Sequence, residues 1–128
     1  MITLPAASEA AAAISQLTGM LVRTTRPGEP GDLIGLPNWT ATVRKAPLCT
    51  AKDVQQWWQE ALLAASGTGT LPLLLYRRTG NLQWTAGWPA ALYNPDLMPG
   101  PGETHPLRRS DLRAWLAYAQ PTFTLVLD

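Results

Sequence analysis

Apolar and polar positions follow different periods along the chain, and each change of period marks an element. Between residues 50 and 66, Val54, Trp57, Trp58, Ala61, Leu62 and Ala65 recur at helical spacing and form one broad apolar stripe. Thr50 with Asp53 three residues later predicts a capping box, with Asp in the usual Glu place, and Ser66-Gly67 closes the helix. Residues 6 to 19 predict an earlier helix: Ser8 and Glu9 suit its beginning, four consecutive alanines favour it, and Ile14 and Leu17 supply a stripe up to Gly19. A third helix carries Leu112, Trp115, Leu116 and Ala119, with Ser110 as its cap and Pro121 as its stop.

Elsewhere the period falls to two or vanishes. Trp39, Ala41 and Val43 share one face of a strand, and Thr40, Thr42 and Arg44 share the other. The continuous apolar run in Leu71 to Arg78 predicts a buried strand, which Thr79-Gly80-Asn81 turns back into Leu82 to Gly87 as a hairpin. Met20 to Thr25 and Leu33 to Gly35 predict short strands, separated by the tight turn Arg26-Pro27-Gly28-Glu29-Pro30-Gly31. Residues 94 to 106 hold four prolines and two glycines and predict an extended loop. Thr122 to Leu127 predicts an edge strand. No repeat and no long linker divides residues 1 to 128, so one α/β domain is expected.

Composition narrows the chemistry. Ten Lys/Arg against nine Asp/Glu give a formal charge of +1, weaker than a dedicated nucleic-acid binder carries. The single cysteine, Cys49, excludes an intramolecular disulfide and a cysteine-rich zinc site. Cys49 and the sole histidine, His105, would have to meet in space to form a catalytic pair, and a small packed or loop residue is the plainer reading of Cys49. The Met-Ile-Thr-Leu-Pro start lacks a basic, apolar leader, and no stretch reaches the roughly 20 apolar residues of a membrane helix, so a cytoplasmic protein is expected.

One constellation carries more. Gly31-Asp32-Leu33-Ile34-Gly35-Leu36-Pro37-Asn38-Trp39 resembles the segment that opens the active site of phage-type Holliday junction resolvases in the PD-(D/E)XK nuclease superfamily. In that pattern Gly-Asp and an aliphatic residue are followed by a turn and a strand carrying Glu-x-Lys. The helix rich in Trp, Gln and Ala at residues 53 to 61, then Tyr76-Arg77-Arg78, then Trp84, continue the similarity over about residues 9 to 90. The resemblance implies a nuclease-like mixed sheet flanked by helices, magnesium or manganese as cofactor, branched or duplex DNA as partner, and a homodimer.

Such cleavage needs two carboxylates to hold a divalent ion that activates water, and a Lys to stabilise developing charge. Asp32 matches the first acid and is the candidate metal ligand. The Glu position is Thr42 and the Lys position is Arg44, both on the face expected for the site. Glu9, Glu29 and Glu60 are the carboxylates that could replace the missing one, and Gln59 is a candidate polar neighbour on the helix. Lys45 points to the opposite face from Arg44. Lys45, Arg77, Arg78 and Trp88 are the candidate DNA contacts, with Trp88 expected to be a partly exposed loop aromatic ahead of Pro89. Arg108, Arg109 and Arg113 read as a solvated helix start. The resemblance thus implies an impaired or inactive endonuclease that remains DNA-associated. The alternative is a nuclease fold used to contact or inhibit a host or phage protein.

Overall fold

Local signals convert into elements in chain order. In the computed structural model, which describes residues 5–92, 94–101 and 103–124, helix α1 spans Ala6–Thr18. Two short strands follow, β1 (Arg23–Thr24) and β2 (Leu33–Ile34), and then the long strand β3 (Trp39–Ala46). Helix α2 (Ala51–Ala65) leads to β4 (Leu71–Arg78) and β5 (Thr85–Pro89). Short 3-10 turns at Ala90–Leu92 and Pro95–Leu97 precede β6 (Leu107–Asp111), helix α3 (Leu112–Ala119) and a final 3-10 segment, Gln120–Thr124.

The six strands lie side by side in sequence order. Neighbours are antiparallel except β3 and β4, which run parallel in register from Trp39 opposite Leu71 to Ala46 opposite Arg78. A parallel pair needs a long crossover, and α2 supplies it. Its capping box is formed as the sequence predicts: Asp53 N–H donates to Thr50 Oγ1 at 3.1 Å, and Thr50 N–H donates to Asp53 Oδ2 at 3.2 Å.

Period-two alternation in β3 and β4 then builds two cores. Ala41, Val43, Leu73 and Leu75 face α1 and α3, where they bury Ala10, Ile14, Trp115 and Leu116. Leu74 and Tyr76 face α2 and bury Val54, Trp58 and Ala61. The described residues therefore form a single α/β domain: a mixed six-stranded sheet with helices on both faces. No helix among them is long and apolar enough to cross a membrane.

Several expectations need correction. The returning strand of the hairpin starts at Thr85 and runs to Pro89, so Trp88 is a strand residue, 1% exposed, and not a loop aromatic. The charged segment Leu107–Asp111, read as the approach to a helix, is the edge strand that pairs with β5. Because that strand runs through Ser110, the helix cap is Asp111, whose Oδ1 accepts from Ala114 N–H at 2.7 Å. The loop at 94–106 contains the 3-10 turn at Pro95–Leu97. The expected C-terminal edge strand is instead a 3-10 segment through Thr124, and residues 125–128 lie outside the described ones. Helix α1, by contrast, begins at Ala6 as predicted, with Glu9 in its first turn.

Candidate functional site

Asp32 is placed by the glycine before it. Gly31 adopts φ +71°, and a Cβ there would lie 2.7 Å from the Ala41 carbonyl oxygen and 2.7 Å from Thr40 Cγ2. Only glycine meets both demands, a left-handed backbone and near contact with β3. The approach lets Asp32 N–H donate to Ala41 O at 2.7 Å and brings the Asp32 carboxylate against the same strand. Its Oδ2 accepts from Val43 N–H at 2.8 Å.

Arg44 closes the group from the strand side. Its guanidinium donates through NH1 to Asp32 Oδ2 at 3.1 Å and through NH2 to Glu60 Oε2 at 3.4 Å. NH1 also reaches the Val43 carbonyl at 2.8 Å. Glu60 comes from α2, on the edge of the helix away from its apolar stripe. The three side chains are 36% (Asp32), 32% (Arg44) and 40% (Glu60) exposed, so water reaches all of them. Of the acids considered from sequence, Glu60 is the one joined to Asp32, and Arg44 makes the join.

Thr42 lies on the same face of β3, two residues before Arg44, and is 3% exposed. Its hydroxyl finds no hydrogen-bond partner among the described residues. A buried unpaired hydroxyl is unfavourable. Thr40, one step further back, does find one, sharing a hydrogen bond with Thr70 at 2.5 Å.

The opposite face of β3 gathers a second ionic group. Lys45 Nζ donates to Glu9 Oε1 at 3.1 Å, and Arg77 donates to Glu9 Oε2. Arg77 also lies over the Trp84 ring, 5.2 Å from its centroid. These side chains are 21% (Glu9), 18% (Lys45) and 10% (Arg77) exposed. The hydrogen bond from Arg77, aided by the Lys45 charge, holds the Glu9 carboxyl below its ordinary value despite partial burial. Glu9 is thus on the far side of the sheet from Asp32 and does not replace the missing acid.

The remaining candidates scatter. Trp88 packs against Tyr118, with ring centroids 4.6 Å apart. Arg78 is exposed and its Nε reaches the Pro47 carbonyl at 3.4 Å. Glu29 accepts from Arg26 N–H and pairs with Arg23, contacts that lower its pKa, so it serves the turn. Gln59 donates to Thr104 Oγ1 at 3.2 Å. Burial pushes the Cys49 thiol up, against the requirement of a nucleophile. No hydrogen bond joins it to His105 among the described residues, and the His105 Nδ1 is buried without a partner.

Sequence reading missed a groove of about 530 Å³ lined by the C-terminal half of α2, the start of β4 and residues 89, 91–92, 98 and 103–105. Leu62, Leu71, Pro72, Leu92 and Met98 give it apolar walls, and His105 lies on its polar side. Met98 stands among prolines with no periodicity to mark it, so no local signal could have assigned it there.

A divalent ion does not fit the Asp32 site as it stands. A permanently protonated guanidinium bridges the two carboxylates that would have to bind it. No group of three or more His, Cys, Asp or Glu side chains arranged to hold a metal occurs among the described residues. Comparison with family models, curated proteins and solved structures finds no match.

Proposed function

We propose that this chain is a nuclease-derived α/β domain, of the PD-(D/E)XK kind, that does not cut DNA and acts through contact with a protein partner. The observation that carries this reading is the Arg44 bridge between Asp32 and Glu60. In a working site of that kind the strand would present a carboxylate and a lysine to a metal and a water. Here it presents a neutral threonine and an arginine already engaged by both nearby acids.

The candidate DNA surface is reduced in the same way. Lys45 and Arg77 are both engaged by Glu9 and largely covered, and Trp88 lies in the core. Of the four candidate contacts, Arg78 remains exposed. A net charge of +1 adds no general attraction to phosphate. Exposed Leu63 on α2 and Met98 at the apolar groove are surfaces better suited to protein than to a polyanion.

The test combines cleavage and binding on branched and linear duplex DNA, with magnesium or manganese. No cleavage is expected, and no association tighter than the roughly 10⁻⁴–10⁻⁶ M of ordinary non-specific binding at physiological salt. Metal-dependent cleavage lost in Asp32→Asn would contradict the reading. Tight, salt-sensitive binding to branched DNA, weakened by Arg78→Ala, would return the protein to a DNA-associated role.

A further inference from the structure

The two edges of the sheet are protected unequally. One edge strand, β1, is two residues long and offers little to pair with. The other, β6, runs unbroken from Leu107 to Asp111, and no strand lies on its outer side among the described residues. Antiparallel geometry decides which of its backbone groups are open. Ala90 N–H donates to Pro106 O at 2.9 Å, so by alternation Arg108 and Ser110 bond to β5. Leu107 and Arg109 turn their N–H and C=O groups outward, where no other strand meets them among the described residues.

We propose that this open edge docks an extended, acidic segment of a partner protein, which joins the sheet as a further strand beside β6. The proposal deepens the reading of the chain as a protein-contact domain and takes the class of partner from it.

Charge and shape choose the occupant. Between Leu107 and Arg113 three exposed arginines stand against one aspartate, and that aspartate is engaged as the cap of α3. The whole chain carries only +1, so the surplus is local to this edge. Arg109 makes no ion pair among the described residues. On the α2 face, Leu107 and Arg109 border a hollow of about 290 Å³ that Ala51, Val54 and Gln55 also line. A strand beside β6 shares its pleat, so its residues opposite Leu107 and Arg109 both face that hollow. An apolar side chain there meets Leu107, and an acid meets the Arg109 guanidinium. Charge alone is enough to discourage edge pairing; the hollow is what marks this edge as a receiving one. A second copy of the chain fits less well, since pairing along the whole of β6 sets Arg109 opposite Arg109. Duplex DNA would use the charge and leave the outward backbone groups unpaired.

The experiment uses the full chain and a blocked synthetic peptide repeating threonine, glutamate, glutamate and valine, beside a control with lysine for glutamate. Binding is followed by titration, with amide exchange read at Leu107 and Arg109. The acidic peptide should bind saturably and slow both amides, and the lysine peptide should do neither. Arg109→Glu should weaken the acidic peptide about tenfold and admit the lysine peptide. Arg109→Pro removes the outward N–H and spares the bonds of Arg108 and Ser110 to β5, so it should fold and lose the acidic peptide. If that variant unfolds, Arg109→Glu decides alone. Absence of saturable binding, or binding that leaves the two amides or the Arg109→Glu response unchanged, would overturn the proposal. So would self-association of the chain through β6, or duplex DNA displacing the peptide at equal or lower concentration. Failure of the peptide would leave the non-cutting reading intact, whereas metal-dependent cleavage by a chain that binds the peptide would overturn that reading alone.

Discussion

Arg44 and Lys45 are neighbours on one strand, yet alternation sends them into ionic groups of opposite composition. On the α2 face one guanidinium lies between two carboxylates, and each side chain is about a third or more exposed. On the α1 face one carboxylate lies between two cations, and each is largely covered. Exposure decides what each can do. Ion pairs open to water contribute little to stability because solvent screens them, whereas covered ones become strongly destabilising when a single partner is removed. The α1-side group is therefore structural: it fastens α1 to the sheet. The α2-side group contributes less to folding.

Removing Glu9 should have the largest effect. Glu9→Ala leaves Lys45 and Arg77 adjacent and uncompensated, and should destabilise by about 3 kcal/mol in denaturant unfolding. Equal losses for Glu9→Ala and Glu60→Ala would erase the distinction between the faces, since Glu60→Ala is expected to cost below about 1 kcal/mol. Gly31→Ala comes next, at about 2 kcal/mol, because it forces a Cβ into β3 at a left-handed position. Its further consequence is specific to the α2 side: Asp32 should move off Val43 N–H, visible as faster exchange of that amide. An unchanged Val43 amide would separate the glycine from the placement of the acid.

Acid titration sharpens the same contrast. The folded state holds the Glu9 carboxyl below its ordinary value, chiefly through Arg77. Its contribution is thus fully present above the usual Glu value of about 4.3, and is lost as pH falls through the lowered folded value. Glu9→Gln should flatten the acid limb of the stability curve; a variant as acid-sensitive as wild type would assign that limb elsewhere.

The smallest effect concerns Thr42. Thr42→Val keeps the shape and removes a hydroxyl that has no partner among the described residues, so a gain of up to about 1 kcal/mol is expected. A loss above that size would mean the hydroxyl is satisfied in solution, by water or by an ion.

The sequence made the fold legible where the signals were local. The capping box of α2 and the alternation of β3 each lie within a few residues, and both formed as expected. The α/β character followed from them. What was hidden needed a partner distant in sequence. Leu107–Asp111 became a strand because Thr85–Pro89 offers it an edge, and the polar pattern Arg108-Arg109-Ser110 gave no sign of that. The same pairing drew Trp88 into the sheet and aimed it at Tyr118.

The site divided along the same line. Gly31, Asp32 and Arg44 were legible because they lie on the turn and strand that bring them together. Glu9 and Glu60 were both named as acids that could join Asp32, but which face of the sheet each helix covers is a tertiary fact. The stripe formed by Ala10 and Ile14 fits the α1 side of β3, and this carries Glu9 away from Asp32.

The central claim is that the two ionic groups on β3 play different parts, the covered one around Glu9 fastening α1 to the sheet and the exposed one around Arg44 adding little to stability. The most direct measurement is denaturant unfolding of Glu9→Ala beside Glu60→Ala. The account predicts a loss of about 3 kcal/mol for Glu9→Ala and below about 1 kcal/mol for Glu60→Ala. Equal losses would contradict it.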